Sequence, residues 1–99
     1  MQLDDYVCRT LMRDLVGHDR APSAFLVYLH LWTETEAAGS KEVDRSYQEI
    51  AESSGLSRSS AHAAIRHLLK RRLITQHKPS RTTTPVYRVL RPWNPRALK

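Results

Sequence analysis

The sequence has 99 residues, of which 40% are hydrophobic and 26% are charged, and its formal net charge is +6. This length predicts a single domain with one modest core. No apolar run approaches the ~20 residues of a membrane span, and the acidic start does not match a secretory signal, so we expect a cytoplasmic protein. The lone Cys8 excludes an internal disulfide and a cysteine zinc site. We interpret it as a small buried hydrophobic residue.

Charge is distributed unevenly along the chain. All ten acidic residues lie at or before Glu52, together with five of the 16 Lys and Arg residues. The other eleven Lys and Arg residues follow Glu52, where the chain has no acidic side chain. A one-sided field of this kind favours a polyanionic partner, because it speeds association and releases counterions from phosphates. The alternative is a basic surface that is only solvated.

The N-terminal segment, residues 1–20, predicts an amphipathic helix that ends near Gly17. Its apolar residues recur at intervals of four: Leu3, Val7, Leu11 and Leu15. A stripe of this kind needs a partner surface. It packs either against the next helix of the same chain or against a second copy in a two-fold dimer, and we favour the homodimer.

The next segment predicts a helix at the centre of the core. Pro22 suits its first turn, and the residues from Phe25 to Trp32 are apolar on nearly every face of a helix. Gly39 is the expected end of this helix. A brief strand is predicted in the segment that follows, 41–44.

Residues 46–57 predict a short helix followed by a tight turn. The spacing of Ser46 and Glu49 matches a capping box, in which each side chain accepts a hydrogen bond from the other residue's backbone amide. Gly55 supplies a left-handed turn residue, and Ser57 caps the next helix. Two helices around a tight glycine turn form the helix-turn-helix pattern.

The helix after Ser57 has two contrasting faces at about 100° per residue. One arc is apolar: Ala61, Ala64, Ile65, Leu68 and Leu69. The opposite arc is small near its start and basic further on: Ser59, Ala63, Arg66 and Lys70. His62 and His67 flank this outward arc. Small residues let a helix approach base edges in the major groove, where Arg can pair with guanine and Lys can bind phosphates.

The last third of the chain predicts a β-hairpin. Residues 73–77 and 86–90 alternate and are rich in β-branched side chains, and a polar, proline-bounded turn with basic residues separates them. The tail, residues 91–99, is basic and broken by prolines. We expect Trp93 to fold back onto the body of the protein.

The segment "SYQEIAESSGLSRSSAHAAIRHLLKRRLI", followed by a basic hairpin, resembles the winged helix-turn-helix of bacterial regulators and of plasmid or phage replication initiators. The resemblance covers residues 22–90. It implies a mainly α fold with a small β-hairpin wing, in which residues 21–90 are the DNA-binding domain and the N-terminal helix is additional. It also implies that helix 57–71 enters the major groove, while the wing, residues 78–84, lies on the backbone or in the minor groove.

The residues that this pattern assigns to double-stranded DNA lie on the helix and the wing: Arg58, Ser59, Ser60, His62, Ala63, Arg66, Lys70, Lys78, Ser80, Arg81 and Thr82. The chain departs from the pattern at two positions. Arg72 stands where such domains usually have a glycine, so either Arg72 adopts a positive φ or the helix ends differently. Ala61 is smaller than the branched residue usual at its position.

We therefore interpret the chain as a nucleoid-associated, sequence-specific transcriptional regulator. The alternatives are the DNA-binding domain of a replication initiator and a winged-helix protein-interaction module. No pair of histidines has metal-ligand spacing, and no phosphate-binding loop, nucleophile motif or cofactor fingerprint is present. We expect no enzyme activity, no cofactor or metal, no membrane association and no small-molecule effector.

Overall fold

The structure is a computed structural model that describes residues 2–81 and 83–94. These residues form an N-terminal helix, three α-helices and three strands. The N-terminal helix consists of two π-helical stretches, Val7–Leu11 and Arg13–His18. The other elements are, in chain order, α1 (Pro22–Ala38), β1 (Glu42–Asp44), α2 (Tyr47–Ser54), α3 (Arg58–Lys70), β2 (Ile74–His77) and β3 (Val86–Val89). The predicted fold class, mainly α with a small hairpin, is confirmed.

The apolar stripe of the N-terminal helix lies in the chain's own core. Val7 and Leu15 are fully buried, Leu11 is 3% exposed, and the half-buried Leu3 packs against the same cluster. The backbone explains how a four-residue repeat stays on one face, because i→i+5 hydrogen bonds widen the turn beyond the 3.6 residues of an α-helix. Of the two arrangements that the sequence left open, these four side chains adopt the intramolecular one. A dimer would have to use other residues.

The opposite face of this helix is exposed, and Cys8 lies on it. The prediction that Cys8 is buried is therefore wrong. Its helical position is out of phase with the buried stripe, since Val7 is the residue that faces the core.

Helix α1 is the centre of the core, as predicted. Pro22 occupies its first turn, and Gly39 ends it with a left-handed φ of 63°. The side chains that it buries point in several directions around its axis: Ala24, Phe25, Val27, Tyr28, Leu31, Trp32 and Thr35. The N-terminal helix, α2, α3 and the sheet all pack against α1. No helix among the described residues has the length and hydropathy of a membrane span.

The three strands form one antiparallel sheet in the order β1-β3-β2. The predicted hairpin is confirmed, with Ile74 opposite Val89 and His77 opposite Val86. On the other side of β3, Val43 pairs with Tyr87, which is fully buried. The brief strand expected near Val43 is therefore present as an edge strand of the sheet.

The helix-turn-helix forms as its local signals predict. The Ser46 hydroxyl accepts a hydrogen bond from the Glu49 amide at 3.1 Å, and the Ser46 amide donates to the Glu49 carboxylate at 3.0 Å. Gly55 has a φ of 70°, the left-handed conformation that glycine adopts without steric cost. The Ser57 hydroxyl then accepts from the Ser60 amide at 3.1 Å and begins α3.

Helix α3 ends in a Schellman motif that has an arginine at the usual glycine position. The Leu73 amide donates to the Leu68 carbonyl at 3.0 Å, and the Arg72 amide donates to the Leu69 carbonyl at 3.1 Å. Arg72 has a φ of 56°. Of the two possibilities that the sequence left open, a positive φ at Arg72 is the one observed. It costs ~1 kcal/mol or more for a residue that carries a Cβ.

The two ends of the described chain are held together. The Trp93 ring stacks on Tyr6 with centroids 4.5 Å apart, and its Nε1 donates to the Asp4 carboxylate at 3.1 Å. The predicted folding back of Trp93 is thus observed. The Arg91 guanidinium lies 3.9 Å from the centroid of Trp32. One hydrophobic core therefore receives side chains from the N-terminal helix, the central segment and the tail.

Candidate nucleic-acid interface

Helix α3 presents one exposed face, and the residues on it are those that the sequence placed there. Ser59, Ala63, Arg66 and Lys70 are exposed. The opposite face is buried by packing against α1 and α2: Ala61, Ala64, Ile65 and Leu68. Because the buried arc fixes the rotation of the helix about its axis, the small and basic arc has to face solvent.

The two histidines of α3 lie on opposite flanks of this face, and each contacts a different element. The His62 ring stacks on Tyr47 of α2, with centroids 3.8 Å apart and an angle of 15° between the ring planes. His67 Nε2 lies 2.8 Å from a carboxylate oxygen of Asp19, just after the N-terminal helix. Both histidines are half-buried, so neither belongs to the fully exposed arc.

Three of the predicted contact residues meet around one cavity between the first turn of α2 and the wing. Arg58, Lys78 and Arg81 line this cavity of about 280 Å³, together with Ser46 and other polar residues at the start of α2. We call it the wing groove. The chain separates these bases by up to 23 positions, and the fold brings them to one place.

The remaining wing residues form a tight turn. The Ser80 amide donates to the Thr83 hydroxyl at 2.9 Å, and the Thr83 amide donates to the Ser80 carbonyl at 3.4 Å. Both residues are exposed. The predicted contact Thr82 lies outside the described residues.

Five exposed bases of α3 and the wing have no ion pair with any acidic side chain in the described part of the chain: Arg58, Arg66, Lys70, Lys78 and Arg81. The arginines that do form ion pairs in the described structure are Arg45, Arg71 and Arg91, which hold parts of the scaffold together. The exposed face of α3 and the wing groove therefore carry positive charge that the protein does not neutralise.

Asp19 is a buried acid that the sequence did not single out. Its side chain is 8% exposed, and it contacts His67 at 2.8 Å, Arg71 at 3.1 Å and His18 at 3.1 Å. Burial alone would raise the pKa of the Asp19 carboxyl. Hydrogen bonds from His67 and His18 and the charge of Arg71 outweigh this effect, so the pKa lies below its ordinary value. The carboxylate thereby ties the end of α3 to the N-terminal helix.

A second group of residues that the sequence did not single out connects α2 to the wing. Gln76 Nε2 on β2 donates to the Tyr47 hydroxyl and to the Tyr87 hydroxyl, each at 2.9 Å. Burial raises the pKa of the Tyr87 phenol well above its ordinary range, so its hydroxyl stays protonated. No local spacing rule could have found these contacts, because they join residues 11 and 29 positions apart.

The histidines do not form a metal-binding constellation in the described part of the chain. Within it, no group of three or more His, Cys, Asp or Glu side chains is placed to hold an ion. The contacts of His67 and His62 are with a paired carboxylate and a tyrosine ring instead.

The comparison with known families agrees with this geometry. The family model of the IclR helix-turn-helix domain matches residues 40–78. The chain contains a DNA-binding helix-turn-helix domain. The matched segment runs from just before β1 to the first residue of the wing loop, so it includes α2, the Gly55 turn and all of α3. The hairpin of β2 and β3, which begins inside this segment, makes the fold that of a winged helix.

Comparisons of the chain with curated proteins and with solved structures give no significant match. The family match covers 39 of the 99 residues and is of the type found in transcriptional regulators. The N-terminal helix, α1, β3 and the tail lie outside it.

Proposed function

We propose that the protein binds double-stranded DNA sequence-specifically and regulates transcription, with α3 in the major groove and the wing on the backbone or in the minor groove. The observation that carries this proposal is the exposed arc of α3, which is small at its start, basic further on and free of acidic side chains. Helix α3 is also the second helix of a DNA-binding helix-turn-helix domain, and this position supports its placement in the major groove.

The chemistry of this arc fits a base-reading helix. Ser59 and Ala63 are short enough to let the backbone approach the base edges. Arg66 follows one turn later, where a guanidinium can donate two hydrogen bonds to the O6 and N7 atoms of a guanine. Lys70, at the end of the helix, presents a flexible charge that suits a phosphate.

The wing groove fits a different part of the DNA. Arg58 projects from the first turn of α3, while Lys78 and Arg81 come from the wing, so the groove is lined by three cations from two elements. Contacts of this kind fix the position of a protein on the duplex without reading the sequence. We assign the groove to the sugar-phosphate backbone beside the base pairs that α3 contacts.

Two variants test whether α3 contacts the bases while the wing contacts the sugar-phosphate backbone. Arg66→Ala should cost about 1–3 kcal/mol on a site selected from a random library and much less on a scrambled duplex. Arg81→Ala should weaken binding to both duplexes by similar factors. Fluorescence anisotropy with the two variants on the two duplexes measures all four affinities. Equal losses for Arg66→Ala on both duplexes would show that α3 does not read sequence.

The same experiment addresses the two alternative functions. The DNA-binding domain of a replication initiator would give the same binding pattern, and its selected sites would map to replication origins rather than to promoters. A protein-interaction module would bind neither duplex. The unpaired bases of α3 and the wing favour DNA over a protein partner.

We further infer that two copies bind one operator through the outward face of the N-terminal helix. Met12 and Val16 on this face are 38% and 40% exposed, and Cys8 lies one four-residue step before Met12. A two-fold axis near Met12 would place Cys8 of one copy opposite residue 16 of the other. Val16→Cys should then form an inter-chain disulfide on mild oxidation. Sedimentation as a monomer, together with one protomer per selected duplex, would exclude the homodimer.

A further inference from the structure

The stack of Tyr47 on His62 lies in the middle of the predicted DNA contacts. His62 is four residues after Arg58 and four residues before Arg66, and residues at this spacing are neighbours on a helix surface. The three side chains therefore form one row along α3, and the first of them, Arg58, lines the wing groove. Tyr47 covers the ring of the middle member, 3.8 Å away.

The ring of His62 is held in place, but its nitrogens have no hydrogen-bond partner among the described residues. This distinguishes it from His67, whose Nε2 contacts Asp19 at 2.8 Å. A neutral imidazole carries one N–H donor and one acceptor nitrogen, and both lie in the plane of the ring. Stacking occupies a face of the ring and leaves these two edge atoms available to a ligand.

Tyr47 is itself fixed from two directions. Its ring packs against the hydrophobic core, and its hydroxyl accepts a hydrogen bond from Gln76 at 2.9 Å. Gln76 also donates a hydrogen bond to the hydroxyl of the buried Tyr87. The position of the His62 ring is thus determined by α2 and by both strands of the hairpin. A side chain immobilised before binding loses less conformational freedom when it contacts a ligand.

We propose that Tyr47 is a positioning residue for sequence reading: it holds the imidazole of His62 ready to hydrogen-bond to a base edge of the bound DNA. This proposal rests on the proposed function, because it assumes that α3 binds the major groove. It adds a residue outside α3 and the wing to the determinants of specificity. Tyr47 acts through His62 and makes no contact with the bases itself.

Three variants separate the stack from the other contacts of Tyr47. Tyr47→Leu removes the aromatic ring, Tyr47→Phe keeps the ring but removes the hydroxyl that accepts from Gln76, and His62→Ala removes the positioned group. On a selected site, His62→Ala should lower the affinity about tenfold. Tyr47→Leu should lower it by about two- to tenfold, whereas Tyr47→Phe should stay within about twofold of the wild type. All three should bind a scrambled duplex almost as the wild type does.

The double variant supplies the decisive comparison. If Tyr47 acts through His62, adding Tyr47→Leu to His62→Ala should produce no further loss on the selected site, because the positioned group is already absent. Independent, multiplicative losses would overturn the proposal. So would a loss in Tyr47→Phe as large as that in Tyr47→Leu, because the hydrogen bond to the wing would then be the cause.

Tyr6→Leu is the matched control. It makes the same change at a tyrosine that also stacks on an aromatic ring, that of Trp93 at 4.5 Å, far from α3 in the chain. It should leave the affinity for the selected site unchanged. A loss equal to that of Tyr47→Leu would show that removing any stacked tyrosine has this effect, and the proposal would be wrong.

An NMR measurement on the free protein tests the geometry without DNA. A ring stacked on a tyrosine experiences its ring current, so the His62 carbon-bound ring protons should resonate upfield in the wild type and in Tyr47→Phe. They should return towards ordinary positions in Tyr47→Leu. An unshifted His62 in the wild type would refute the stack. If the wild type binds neither duplex while the upfield shift is present, the proposed function has failed rather than the geometry.

Discussion

The salt dependence of DNA binding can be calculated from the side chains that the structure leaves unpaired. Five exposed bases of α3 and the wing have no ion pair with an acidic side chain in the described part of the chain: Arg58, Arg66, Lys70, Lys78 and Arg81. Each phosphate neutralised on B-DNA contributes about −0.9 to the slope of log K against log salt. The slope should therefore be about −4.5 if all five bases bind phosphates, and about −3.6 if Arg66 pairs with a guanine instead.

This slope corresponds to a large change in affinity over an accessible range. Between 50 and 200 mM salt, a slope of −4.5 lowers the association constant by roughly 500-fold. Anisotropy titrations of a labelled duplex at four or five salt concentrations give the slope directly for each protein variant. The measurement should use a scrambled duplex first, because phosphate contacts do not depend on sequence.

Single substitutions assign the slope to particular residues. Lys70→Ala, Lys78→Ala and Arg81→Ala should each reduce its magnitude by about 0.9. Arg9→Ala is the matched control, since Arg9 is an exposed base on the N-terminal helix, outside α3 and the wing groove. It should leave the slope unchanged. A wild-type slope near zero, or equal effects of Arg9→Ala and Arg81→Ala, would refute the assignment of phosphate contacts to α3 and the wing.

Three further predictions concern stability, each measured by urea unfolding. Because the pKa of Asp19 is lowered in the folded state, its contribution to the unfolding free energy is complete above about pH 5 and is lost as the pH falls from its ordinary value of 3.8 through the lower pKa of the folded state. Asp19→Asn should cost about 1–3 kcal/mol at pH 7 and flatten this acid-side decline, and an unchanged pH profile would contradict the pairing. Arg72→Gly should stabilise the protein by about 0.5–1 kcal/mol, because glycine removes the strain of the left-handed conformation, and this gain exceeds the extra backbone entropy that glycine loses on folding. A loss of stability would show that Arg72 is not strained. Leu15→Ala should cost about 2–5 kcal/mol without changing the sedimentation coefficient of the folded protein, whereas dissociation without destabilisation would return the stripe to a dimer interface.

The features that the sequence predicted well are those that local interactions determine. The capping box of Ser46, the left-handed Gly55 and the Ser57 cap each depend on residues at most three positions apart, so α2, the turn and α3 could be placed from their signals. The rotation of α3 was also predictable, because the spacing of its apolar residues defines the buried arc.

The features that the sequence could not predict depend on contacts between distant residues. The pairing of Val43 with Tyr87 spans the whole helix-turn-helix, and no local pattern specifies it. The same holds for Asp19, whose partner His67 lies 48 positions away. The stripe of the N-terminal helix was recognised as apolar, but a stripe does not identify the surface that covers it. Here that surface belongs to the same chain.

The separation of acidic and basic residues along the chain determines which bases of the second half can form ion pairs. Because the chain has no acidic residue after Glu52, a base in the second half can be neutralised only by an acid from the first. In the described structure this occurs at two places: Arg71 pairs with Asp19, and Arg91 pairs with Asp4 and with Glu36. These three pairs join the second half of the chain to the N-terminal segment or α1, away from the exposed arc of α3.

The five exposed bases of α3 and the wing form no ion pair with these acids in the described part of the chain. Their positive charge is therefore left for an external polyanion, at a cost in mutual repulsion that the fold has to tolerate. Introducing an acid within this region should relieve that repulsion and remove a DNA contact together. Ala63→Glu, on the exposed arc and four residues before His67, makes this change without altering the buried face. It should preserve or raise the unfolding free energy while abolishing binding to both duplexes, and a variant that still binds the scrambled duplex normally would show that this arc does not face DNA.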